Sequence, residues 1–186
     1  MGKRWSAAAI FLAAGVAAAA PAFAGSGSAM KLHSNSRLLA EQRLDTAIVY
    51  ELNRTRRAFG LSTLKANAEL ARAAASHSNE MAHSGRFTHE SPDGTPFWKR
   101  VQRYYPLSNF ASWYAGETLL WSSPEVSARA AVADWMASPS HRKILLDPKW
   151  MEVGISAVHD ARAPGAFRSL ECTIVTADFG VRAGRR

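Results

Sequence analysis

The chain has 186 residues, a formal net charge of +8, 47% hydrophobic residues and a single cysteine. That length bounds one domain with a sizeable core, and a lone cysteine excludes an internal disulfide, so packing must hold the fold. The positive balance favours anionic partners such as acidic wall polymers or lipid headgroups. The basic residues are spread along the chain with no dense run interleaved with aromatics, which argues against nucleic acid as a partner.

Lys3 and Arg4 precede an apolar run over 7–20, Pro21 breaks it, and Ala22-Phe23-Ala24 forms a small-x-small site. This layout is that of a secretory signal peptide over 1–24, cleaved after Ala24. The run is short of the roughly 20 apolar residues that span a bilayer, and no later segment is a transmembrane candidate. Residues 25–37 are rich in Gly and Ser and are expected to be a flexible leader. The domain is expected over 38–182, with a basic tail at 183–186.

Within 38–59, Leu44, Ile48 and Leu52 recur every fourth residue and Gly60 follows, which predicts a helix. A second helix is predicted over 66–84, with Leu70, Ala74, His77 and Met81 as its inner stripe and Gly85 as its stop. His77 reads as a packing residue rather than a ligand, and His83 as a solvent residue. Pro92-Asp93-Gly94 marks a turn, and Thr95 is expected to cap a short helix with Pro96 at its first position. Residues 104–121 read as aromatic and irregular. Ser123-Pro124-Glu125 repeats the cap-and-proline pattern and predicts a helix to about Met136.

Beyond Pro139 the period changes to two. Val153, Ile155 and Ala157 alternate, as do Leu170, Cys172 and Ile174, with Val175, Ala177 and Phe179 on the opposite phase. Turn residues over 160–165 separate these runs, so they read as two antiparallel strands. Helices first and strands last predict an α+β fold, an α-β-α sandwich with a small antiparallel sheet packed between helices.

Polar residues that local structure does not require cluster at a few places. His89 and His141 read as loop residues, and Glu117 lies in an otherwise apolar run, where burying an acid is costly unless it is paired. Two imidazoles and a carboxylate could form a metal site or a charged hydrogen-bond cluster. Several catalytic patterns fail. His89-Glu90-Ser91-Pro92-Asp93 lacks the second histidine of a zinc-protease helix, and Pro92 opposes that helix. Gly154-Ile155-Ser156-Ala157-Val158 lacks the second glycine of a nucleophile elbow. Cys172 reads as a core residue of a strand.

The segment from Leu52 through Asn53-Arg54-Thr55-Arg56-Arg57-Ala58-Phe59-Gly60 to Leu61 resembles the first-helix signature of bacterial CAP proteins. These are the SCP-like members of the cysteine-rich secretory, antigen five and pathogenesis-related one superfamily. Phe87-Thr88-His89, Gly116-Glu117-Thr118-Leu119, Trp135-Met136-Ala137-Ser138-Pro139-Ser140-His141-Arg142 and Val153-Gly154-Ile155 follow in the family's order.

The resemblance implies a cleft lined by two histidines and two acids, holding zinc or another divalent cation in some members. His89, Glu117 and His141 match three of the four positions, and Ser138 falls where the second acid is expected. Thr118 replaces the family's asparagine. It further implies a secreted binding module, for a small apolar ligand such as a sterol or fatty acid or for a cell-envelope partner. The alternatives are a divalent-metal-assisted hydrolase of peptides or esters, and a structural polar cluster without a ligand.

Overall fold

The computed structural model describes the backbone over residues 26–185 and side chains over 35–184, so the signal-peptide reading and Arg186 of the expected tail lie outside the described residues. The elements in order are α1 (Ser26–Ala58), β1 (Lys65–Ala66), α2 (Ala68–Ser84), α3 (Phe97–Tyr104), β2 (Phe110–Ser122), α4 (Ala128–Ala137), α5 (Pro139–Leu145), β3 (Glu152–Ala163) and β4 (Leu170–Arg185). A 3-10 turn, Gly165–Phe167, joins the last two strands.

The four strands form one sheet in the order β1-β3-β4-β2. The α+β reading stands, but the sheet is mixed, because the two-residue β1 joins β3 in parallel while the other pairs are antiparallel.

Alternation along β4 divides the core. Val175, Ala177, Phe179 and Val181 pack with Ile48 and Leu52 of α1, Val132 and Trp135 of α4 and Leu145 of α5. Cys172 and Ile174 face the other way, against Met81 and Ala82 of α2. Helices therefore cover both faces, and β4 is buried without a break from Cys172 to Val181. Burial of this kind stabilises by about 25 cal/mol per Å² of apolar area.

The N-terminus of α2 is set by Asn67, whose side chain accepts the N–H groups of Glu69 and Leu70 at 2.8 and 3.1 Å. Its end is Gly85, at φ 70°, a left-handed stop that favours glycine. Gly154 serves closeness instead: a Cβ there would lie 2.0 Å from the Ala71 nitrogen, so α2 rests directly on the backbone of β3.

Four expectations need correction. Helix α1 begins at Ser26, so the Gly/Ser-rich segment 25–37, read as a leader, is helical from that residue on; Ala, Met, Lys and Leu at 29–32 are good helix formers. The stretch 104–121 is not irregular but contains most of β2. Its alternation was hidden because the buried face that carries Trp113, Ala115, Leu119 and Trp121 also carries Glu117. Helix α3 starts one residue later than expected, with Pro96 in place of Thr95 at the cap position. Helix α4 starts after Ser127, whose hydroxyl accepts the Ala130 N–H at 3.2 Å, whereas the Ser123 hydroxyl donates to the Glu171 carbonyl at 2.7 Å.

Candidate functional site

Glu117 sits in the buried half of β2 and is 3% exposed. Its Oε1 accepts a hydrogen bond from Nδ1 of His89 at 2.7 Å. Its Oε2 pairs with the Arg100 guanidinium, which comes from α3 and is itself buried. Both carboxylate oxygens are thus committed to cationic or N–H partners, which hold the group as an anion.

The loop that carries His89 is pinned from both flanking helices. His77 of α2 donates Nε2–H to the Thr88 carbonyl at 2.8 Å. Arg100 donates to the His89 carbonyl at 3.1 Å and to the Ser91 hydroxyl at 3.4 Å. Burial pushes the pKa of His77 down, with the Glu117 charge opposing that shift. Nε2 carries a proton because Thr88 offers only an acceptor there, while Nδ1 lies 3.5 Å from the Glu80 carboxylate. His77 is a helix-face residue as expected, and it also fixes the backbone beside His89.

The His89 side chain is 49% exposed, while that of Glu117 is fully covered. The Phe97 ring stands at an angle to the imidazole, with centroids 6.4 Å apart. Since the Glu117 carboxylate only accepts, Nδ1 of His89 carries the proton between them.

His141 lies not in a loop but in the first turn of α5, where Pro139 occupies the opening position. Ser138-Pro139 was the sequence signal for that helix. Partial burial lowers the His141 pKa, and the nearby charge of His89 lowers it further, so the two imidazoles disfavour joint protonation. Ser138 links α4 to α5, and its hydroxyl pairs with that of Ser140 at 3.2 Å rather than joining the Glu117 cluster.

Two charged residues of the cluster were not foreseen. Arg100 gave no signal, because one arginine in a short basic helix looks like a solvated residue. Asp178 is the cross-strand partner of Glu117 and is fully buried. It alternates with Ala177 and Phe179, which suggests an outward face only while the second layer of helices is unknown.

The donors do not fit the metal set that the resemblance implied. Zinc takes four protein ligands, or three with an open position, and among the described residues no group of three or more His, Cys, Asp or Glu is placed to hold a metal ion. Glu117 is the donor that fails, since Arg100 and His89 occupy its oxygens.

The profile of CAP, the cysteine-rich secretory protein family, matches residues 49–179, well over half of the chain. A search of curated proteins finds no match. Among solved structures, an extracellular protein containing an SCP domain from Bacillus anthracis is 24% identical with a TM-score of 0.61. The match covers 78% of this chain and 42% of that one, so the chain spans less than half the length of the Bacillus protein. An outer surface protein from Borrelia burgdorferi is 20% identical, with a TM-score of 0.56 and coverage of 74% of this chain and 90% of that one. A cysteine-rich secretory protein from Staphylococcus aureus is 19% identical, with a TM-score of 0.53 and coverage of 75% and 38%. At these identities the three structures speak for the fold alone, and the profile match over 49–179 establishes that the chain belongs to the CAP family.

Proposed function

We propose that this chain is an exported CAP-domain binding module whose cleft, at His89, Glu117 and His141, holds the polar end of a small apolar ligand or of a cell-envelope component. The observation that carries this reading is the state of Glu117. Its side chain has no exposure and both oxygens are engaged, so it cannot meet a reacting atom as a base or nucleophile. What reaches solvent is an imidazole whose ring is held in place by its Nδ1 hydrogen bond to Glu117. A half-exposed ring held this firmly also favours ligand contact over a purely structural cluster.

Export rests on the expected signal at 1–24 and agrees with the described residues, where no helix is long and apolar enough to cross a membrane. N-terminal sequencing of protein recovered outside the producing cell should begin at Gly25.

The functional test compares the parent with His141→Ala in lipid-binding assays and in hydrolysis of peptide and ester panels. Retained lipid and no hydrolysis by the parent support the module. Robust hydrolysis by the parent that His141→Ala abolishes would replace it with the hydrolase reading.

A further inference from the structure

Asp178 lies directly across from Glu117 in the β2–β4 register and is 0% exposed. Neither of its oxygens has a hydrogen-bond donor. Glu117 comes from β2, Arg100 from α3 and His77 from α2, while β3 places the uncharged Gly154 opposite Asp178. Arg100 spends its terminal nitrogens on Glu117, the His89 carbonyl and Ser91, and its Nε has no partner. Two buried carboxyl groups therefore share one guanidinium that is bonded to only one of them. A buried acid without a donor costs several kcal/mol if ionised. A proton on it would create the missing O–H donor, and Glu117 has acceptor positions left after its two existing bonds.

We propose that Asp178 is a protonated carboxylic acid in the folded protein, donating its O–H to Glu117 and so positioning the carboxylate that orients His89. The proton resides on Asp178 rather than Glu117 because Glu117 receives Arg100 and His89 Nδ1, both of which favour its ionised form. Burial and the Glu117 charge both push the Asp178 pKa upward, in agreement with the geometry. Asp178 then adds no charge to the cluster, and Arg100 and Glu117 cancel. Beneath the cleft the cluster is electrically neutral, so the two imidazoles decide whether the cleft is neutral or cationic. Only this last consequence rests on reading the cleft as a binding site.

The test uses the full chain and its Asp178→Asn variant, which keeps shape and can still donate to Glu117. Infrared difference spectra should be taken at about pH 8, a unit above the pKa of about 7 to which burial raises Asp45, so that Asp45 contributes little. The parent should show the carbonyl stretch of an un-ionised carboxyl, absent from the variant. In NMR titration, replacing a neutral acid by a neutral amide should leave the His89 midpoint within about 0.2 unit, as no charge is lost. Absence of the carboxyl band in the parent would overturn the proposal. So would a fall of about one unit or more in the His89 midpoint, the size expected on losing a nearby buried charge. If the variant proves unstable, the parent's band at alkaline pH still decides. Neither measurement depends on a ligand, so the proposal can fail while the binding-module reading stands, and the reverse.

Discussion

Asp45 of α1 accepts the backbone N–H of Ala157 at 2.6 Å, far along the chain on β3. One turn earlier Glu41 accepts the N–H of His159 at 2.9 Å. β1 covers β3 only at Glu152 and Val153, which leaves outward N–H groups beyond. Four helical residues rise about 6 Å and two strand residues about 6.8 Å, so acids one turn apart match this spacing. Helix α1 closes that edge with side chains where another strand would otherwise sit.

Burial, with Glu41 nearby, raises the Asp45 pKa to about 7 despite the lowering effect of the Ala157 hydrogen bond. The folded state then binds a proton that the unfolded chain releases near 3.8. Stability from this group is fullest below pH 4 and is lost as pH rises toward about 7. Asp45→Asn should flatten that slope and gain about 1–2 kcal/mol over the parent at pH 8. Urea unfolding at pH 5 and pH 8 measures both, and parallel pH profiles would refute the assignment.

Glu117→Gln removes the charge facing buried Arg100. Breaking a buried pair from one side costs about 3–5 kcal/mol. The double variant Arg100→Met with Glu117→Gln should lose less than the sum of the singles, a coupling that a double-mutant cycle in urea reads directly.

His77→Leu leaves the Thr88 carbonyl without its partner, at a cost of about 1–3 kcal/mol. Amide exchange should quicken in the loop bearing His89 before it changes in α4. The lowered pKa of His77 means that its contribution is present above about pH 6.5 and is lost as pH falls, when the unfolded chain takes up the proton. The parent should show this acid loss and His77→Leu should not.

Gly154→Ala would place a methyl group 2.0 Å from the Ala71 nitrogen and 2.2 Å from the Leu70 carbonyl carbon. Backbone cannot yield as a side chain does, so α2 must lift from the sheet. A thermal midpoint lowered by about 6–12 °C is expected, given a cost of about 3 kcal/mol. A near-neutral result would mean that the α2–β3 contact is looser than described.

The regular parts of the fold were legible because their signals are local. The Asn67 to Gly85 helix shows its stripe and its stop, and β3 and β4 show alternation. β1 was invisible, since two residues carry no period and pair only through tertiary placement. β2 was obscured where Glu117 interrupts an apolar face. Of the candidate site, the resemblance named His89 and Glu117, which the structure joins by a hydrogen bond. It could not name Arg100 or Asp178, whose roles depend on which helix covers which side of the sheet.

His89 rides on a loop and His141 on a two-turn helix, whereas Glu117 and Arg100 are embedded in the packed interior. Substitutions at His89 therefore meet little mechanical resistance, while changes at Glu117 or Arg100 endanger folding itself. The scaffold can change the chemistry of its exposed imidazole without rebuilding its foundation.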